Sequence, residues 1–330
     1  MPLPRVVFYG SDAIALPSLD FLAGEGAASC ELVGVLTQPD RPSGRGKKLR
    51  PNPVKAWAEE KGISVSEPQK PGEAEVKCAR RADLALVMAY GHILSRELLD
   101  APVHGTFNLH GSLLPAYRGA SPVETALALG ERDSGVTLMR VVPRMDAGPL
   151  VDAEVVVIES GADGPSFRLD IAAACVPLLR RNLRVLLAGE AEERPQDEAA
   201  ATYCRKLRKE DALLDFRSSA SVLARRVAAF RGWPGSRFVC GDVVLNVGEA
   251  QALEELSLAP GEIGESEEFP LVVGTGRGSL ALLELQRPGG RMMPAADFLR
   301  GFPLRAGEVL REQDDLTELL VSPPDNRSRN

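Results

Sequence analysis

The chain is predicted to be α/β, with a doubly wound, mainly parallel sheet over residues 1–189 and a smaller β domain over residues 203–311. Three observations carry this. Short apolar runs alternate with segments of helical periodicity through the first half, from RVVFYG at Arg5 to Gly10 to LALVMA within Asp83 to Ala89. Short β-rich runs separated by Gly, Pro and acidic turns fill the second half. The polar stretch EAEERPQDEAAAT after Gly189 divides the two.

Arg5 to Gly10 leads through Ser11 and Asp12 to a helix near Ile14 to Leu22, the strand-turn-helix start of a Rossmann-like fold. Neither Gly-x-Gly-x-x-Gly nor a Walker-type lysine is present, which argues against a dinucleotide or a nucleoside triphosphate. Glu31 to Thr37 reads as the second strand, Val54 to Lys61 as a helix and Asp83 to Ala89 as a third strong strand. Thr106 to His110 alternates and runs into Gly111; a loop ended by Arg118-Gly119 follows, then a helix opened by Ser121 and Pro122. Gly135 to Val142 alternates again. From Pro165 to Leu187, residues Leu169, Ala172, Ala173, Val176, Leu179 and Leu183 recur at helical spacing and close the domain by packing. Residues 190–202 read as a linker on which the halves hinge. Beyond it come a helix, Ser219 to Phe230, and strands at Phe238 to Cys240, Val243 to Val247, Leu271 to Val273 and Leu280 to Gln286. The tail 312–330 is expected to fray.

At 330 residues and 44% hydrophobic composition, the chain is long enough for two domains. The N-terminus shows no basic leader with an apolar core, and no apolar run is long enough to span a bilayer, so a cytoplasmic protein without a membrane partner is expected. Cys30, Cys78, Cys175, Cys204 and Cys240 are scattered and odd in number, which suggests reduced thiols and no metal site. The net charge of -7 opposes nucleic-acid binding if read globally. Local distribution differs: Arg41 to Lys55 holds six Lys/Arg and no acid, and Tyr203 to Arg237 holds nine against three acids.

Asn108 and His110 lie two apart, so on a strand both side chains point to one face. Together they offer an amide donor for a developing oxyanion and an imidazole that exchanges protons near neutral pH. A polar strand end capped by water is the plainer alternative. Asp146, in RMDAGP after the next alternating run, would orient the ring and favour imidazolium if it closes on His110. Arg118 serves either to hold its loop or to meet an anion. His92 is read as pocket rim and His104 as loop. Trp233 either stacks on a base or fills the β domain's core, and the core is preferred.

SLLPAYRGASPVETAL followed by GVTLMRVVPRMDAGPL resembles the signature of formyltransferases that use 10-formyltetrahydrofolate. From Val6 to about Leu310 the chain is similar to the group of that family acting on methionyl-tRNA. The resemblance implies a formyl transfer to the α-amine of aminoacylated initiator tRNA, with Asn108 as oxyanion donor, His110 as acid/base group and Asp146 as its partner. It implies a folate pocket formed by Met88, Tyr90, Gly91, Ile93, Leu94 and Leu98, with Ser112, Leu113, Leu114 and Pro115 on a second side. It implies that the small β domain is an oligonucleotide-binding-like barrel. It also implies that Arg45, Lys47 and Lys48, with Arg205, Lys206, Arg208 and Lys209, contact tRNA phosphates. A monomer is expected. Pro149 departs from the pattern, standing where many members carry an acid, outside the triad. A formyltransferase for a small amine, such as a ribonucleotide or an amino sugar, or a formyl-folate hydrolase would use the same triad without the cationic loop. A non-catalytic RNA-binding protein would leave the triad without purpose.

Overall fold

The computed structural model describes residues 2–43, 48–254, 258–311 and 315–323. Its first domain is built on β1 (Arg5–Gly10), β2 (Glu31–Leu36), β3 (Val65–Ser66), β4 (Leu84–Met88), β5 (Thr106–His110), β6 (Asp133–Arg140) and β7 (Leu150–Val157). They form one sheet in the order β7-β6-β5-β4-β1-β2-β3. The five strands from β3 to β5 are parallel, whereas β6 and β7 join antiparallel at one edge. The apolar run of β4 is buried throughout, as a strand covered on both faces must be.

Alternate residues of β1 serve opposite layers. Val6 and Phe8 pack with α1 (Leu16–Ala23), α2 (Pro53–Lys61), α5 (Pro122–Leu129) and α6 (Gly164–Ala188) through Leu19, Trp57, Val123 and Ile171. Val7 and Tyr9 pack on the other face with Ala79 of α3 (Glu73–Ala79) and Leu98 of α4 (Arg96–Leu99). Helices on both faces make the sheet doubly wound, and its strand order reverses between β1 and β4, the crevice where open α/β sheets take ligands. The long helix α6 starts where the Asp163 carboxylate accepts from the Ser166 amide at 2.8 Å and ends at Gly189 in the left-handed region, φ +70°.

The second domain is a small β-barrel of β8 (Ser236–Cys240), β9 (Val243–Leu253), β10 (Ile263–Gly264), β11 (Val272–Gly274), β12 (Ser279–Gln286) and β13 (Met293–Pro294). The path runs β8-β9-β12-β11-β10, with β13 also on β12. Its core of Phe216, Phe238, Leu245, Leu271 and Leu285 is closed by Leu223 of α7 (Ala220–Ala229) and Phe298 of α8 (Ala295–Gly301). Trp233 lies outside that core, against the preferred expectation, with 55% of its surface exposed. Gly232 and Gly235, both at positive φ, turn the chain there, so the indole sits on a bend and not on an inward strand position.

The domains meet in a third small sheet. Tyr203–Cys204 pairs parallel with Arg118–Gly119 of the first domain and antiparallel with Leu320–Val321. Of the tail, residues 315–323 are described: Leu319 is buried in the first domain's core and Leu320–Val321 pairs with Tyr203–Cys204, while 312–314 and 324–330 lie outside the described residues. Residues 190–202 run along the first domain: Arg194 and Leu150 exchange backbone hydrogen bonds of 2.8 and 2.7 Å, and Glu193 binds Arg140. No helix of the described residues is long and apolar enough to cross a membrane. Among the described residues no group of three or more His, Cys, Asp and Glu is placed to hold a metal, and the cysteines are unpaired.

Candidate active site

β5 carries Asn108 and His110 to the carboxyl end of the sheet, between parallel β4 and antiparallel β6. Asn108 is half-buried and His110 only 5% exposed. The loop after β5 folds back over the imidazole, and His110 Nε2 lies 2.9 Å from the Tyr117 carbonyl oxygen. A carbonyl only accepts, so Nε2 carries the proton and Nδ1 is left toward Asp146, whose Oδ2 lies 3.9 Å away. The same Oδ2 accepts from the Gly119 amide at 2.8 Å. Tyr117 and Asp146 both sit in the left-handed region, at φ +59° and +46°, which non-glycine residues enter at a cost and which concentrates at functional sites. The structure thus brings together His110 and Asp146, 36 positions apart in sequence.

The loop's interior is polar and satisfied. Ser112 is fully buried, its hydroxyl donating to the Ala116 carbonyl at 2.7 Å, so this side chain closes the loop instead of facing a cavity. Thr137 of β6 donates to the Ser112 carbonyl at 2.6 Å and accepts from the Leu114 amide at 3.0 Å. Leu114 is buried, while Leu113 and Pro115 are half-buried. Arg118 takes the structural one of its two expected roles. Completely buried, it donates to Gln196, Glu198 and the Tyr203 hydroxyl. Burial works against its charge, but Glu198 and Tyr203 outweigh it and keep the guanidinium protonated. Arg118, first among the neighbours, holds the Glu198 carboxyl below its usual range.

A cavity of about 450 Å³ opens at the β1/β4 reversal, lined by Ser11, Asp12, Gln38, Arg41, Asn52 and Tyr90 among others. The Tyr90 carbonyl at its wall accepts from Gln38 Nε2 at 2.7 Å and Ser11 Oγ at 3.2 Å, and the Asn52 amide donates to the Gln38 carbonyl at 2.7 Å. Gly91 follows at φ +76°, where an added Cβ would stand 2.5 Å from the Gln38 amide nitrogen. Met88 and the Tyr90 ring are buried, Leu94 is half-buried and Ile93 is 73% exposed. His92 stacks at a tilt on Tyr90, ring centres 5.2 Å apart. Gln38 and Asn52 went unseen in the sequence; the usable signal is that polar residues directly after β2 and before α2 face the reversal point.

The cationic residues divide. Arg45 and Lys47 lie outside the described residues, and Lys48 begins the short strand Lys48–Arg50 that pairs with Arg41–Ser43. Lys206, Arg208 and Lys209 are exposed. Arg205 is spent internally, bound to Asp211 at 2.6 and 2.9 Å and to the Glu318 carbonyl at 2.7 Å. Burial opposes ionisation of Asp211, but Arg205, Thr317 and the Arg208 amide outweigh it and hold the carboxyl at about 2.

Sequence comparisons define the class to which this fold belongs. Residues 6–166 match the formyl transferase family and residues 206–303 the formyl transferase C-terminal domain. The methionyl-tRNA formyltransferase of Methylococcus capsulatus is 40% identical over 309 residues, 93% of this chain and 99% of the relative. That of Moorella thermoacetica is 37% identical over 310 residues, again 93% and 99%. The chain belongs to the methionyl-tRNA formyltransferase family. Among solved structures, the fold is shared with an N-formyltransferase from Helicobacter canadensis in complex with folinic acid and dTDP-3-aminofucose, at a TM-score of 0.63 and 16% identity, covering 86% of this chain and 100% of that one. HypX from Aquifex aeolicus in complex with tetrahydrofolic acid aligns at a TM-score of 0.60 and 18% identity, covering 96% and 50%.

Proposed function

We propose that the protein transfers a formyl group from 10-formyltetrahydrofolate to the α-amine of methionyl initiator tRNA, acting as a cytoplasmic monomer in translation initiation. The observation that carries the chemistry is His110 Nδ1 facing the Asp146 carboxylate beside Asn108, in a chain that matches its relatives across both domains. The neutral amine attacks the formyl carbon. Asn108 and the Nδ1–H of protonated His110 stabilise the oxyanion, because donors already aimed at the site need no reorganisation. Asp146 takes the proton that the amine must lose. As the bond from the formyl carbon to N10 breaks, that proton passes on to N10, so formylmethionyl-tRNA and tetrahydrofolate leave with no net proton change. No covalent enzyme intermediate is required.

Support for the donor comes from the cavity at the strand-order reversal, whose wall includes Ala89, Tyr90 and Gly91 at the end of β4. Support for the tRNA comes from exposed Lys206, Arg208 and Lys209 and from the cationic run holding Arg45, Lys47 and Lys48. The test is transfer of labelled formyl from 10-formyltetrahydrofolate to methionyl initiator tRNA, with methionyl elongator tRNA and free methionine alongside. Selective labelling of the initiator is expected. Equal labelling of all three, or transfer only to water or to free amine, overturns the acceptor.

A further inference from the structure

Asp146 is gripped from behind by a residue of the segment that joins the two domains. Gln196 is only 9% exposed, and its Nε2 donates to the backbone carbonyls of Asp146 at 2.9 Å and Gly148 at 2.7 Å. Its Oε1 accepts from Arg118 Nε at 3.0 Å and Nη2 at 2.7 Å. Arg118 has only donors, so the amide has one orientation: oxygen to the guanidinium, nitrogen to the two carbonyls. Arg118 is itself anchored on Glu198 and the Tyr203 hydroxyl, and Glu198 also binds Arg144, two residues before Asp146. Gly119, the residue after Arg118, donates to the Asp146 carboxylate. The left-handed backbone of Asp146 is therefore enforced at its carbonyl by Gln196 and at its carboxylate by Gly119, and Arg118 ties both together.

We propose that Gln196, oriented by buried Arg118, is a positioning residue of the transfer reaction, holding Asp146 so that its carboxylate stays on the Nδ1 side of His110. This rests on the role given to Asp146 above. A mere tether between domains would need neither the buried amide nor its two bonds to the catalytic turn.

The test is Gln196→Glu in the full chain. The change keeps size and an acceptor for Arg118 but replaces the donating nitrogen with an oxygen that repels both carbonyls. Misplacement of a reacting group by about 1 Å costs on the order of 100-fold, so kcat should fall roughly 10- to 100-fold with KM for both substrates within about twofold. In an Asp146→Asn background the same substitution should cost less than about threefold, since two residues acting through one group are not additive. In substrate-free protein the ¹⁵N signals of His110 should move in Gln196→Glu as they do in Asp146→Asn. An unchanged kcat, a full loss in the Asp146→Asn background, or unmoved His110 signals overturns the proposal. If Gln196→Glu does not fold, Glu198→Gln, at a half-exposed side chain, loosens Arg118 from its other side. It should lower kcat several-fold with the same non-additivity, and an additive or absent loss overturns the proposal. A wild-type protein that fails to formylate methionyl-tRNA sinks the functional reading instead, while the His110 signals still decide the positioning.

Discussion

The Tyr117 carbonyl occupies His110 Nε2 at 2.9 Å, and this contact leaves Nδ1 as the ring nitrogen that faces Asp146 Oδ2, 3.9 Å away. The half-buried amide of Asn108 lies on the same face of β5. Removing an oxyanion donor typically costs roughly 100- to 1,000-fold in rate. His110→Ala and Asn108→Ala should each lower kcat by about that factor, with circular dichroism and melting temperature close to wild type. Variants that stay folded and keep wild-type rates would refute both roles.

Gly119 should not tolerate a side chain. It sits at φ +121°, and an added Cβ would run into the Cys204 carbonyl oxygen across the interdomain sheet. Gly119→Ala should lower stability by about 1–3 kcal/mol, the usual cost of an enforced backbone conformation. It should also lower kcat, because the amide that holds Asp146 moves. Thermal denaturation and single-turnover transfer measure the two effects separately.

Arg205 and its neighbours should behave oppositely. Arg205 pairs with a carboxylate whose side chain is 0% exposed, and breaking such a pair from one side typically costs about 3–5 kcal/mol. Arg205→Ala should therefore destabilise the protein while leaving the salt dependence of tRNA binding nearly intact. Lys206→Ala, Arg208→Ala and Lys209→Ala should change stability by less than about 0.5 kcal/mol and each lower the salt slope by about one. Urea melts and filter binding across a salt series distinguish the groups.

Asp211 sets a pH dependence of stability. Its folded value of about 2 lies below the ordinary 3.8, so the charged form is favoured in the native state. The resulting stabilisation is fully present above about pH 4 and is lost as pH falls through about 2, an amount of about 2 kcal/mol. The difference in unfolding free energy between wild type and Asp211→Asn should be constant from pH 7 to about 4 and then shrink. A difference that stays flat down to pH 2 would exclude the assignment.

The strands and the residues at their ends were legible because their signals are local. Asn108 and His110 announce themselves by a two-residue period ending in Gly111, and β1 and β4 by unbroken apolar runs. What stayed hidden depends on which distant group each residue meets. Gln196 sits in a stretch of acids and alanines that composition reads only as connection, yet its partners are 48 to 78 residues away. Counting cations cannot separate Arg205 from Lys206, because only the fold shows that Asp211 turns back onto the former. Trp233 was misplaced because aromatic character predicts burial, whereas two flanking glycines bend its segment outward.

The three-stranded sheet at the domain junction bears on the order in which the protein forms. Tyr203 reaches Arg118 across 85 positions, and Val321 then pairs with Tyr203. A ribosome adding about 5–20 residues per second brings out Tyr203–Cys204 within seconds of the end of α6, but Leu320–Val321 only after the whole second domain. Arg118–Gly119 thus gains its neighbouring strand early, and Tyr203–Cys204 waits for its outer partner until the second domain has been made. The burial of Leu319, and with it the closing of the first domain's core, is the last of these steps.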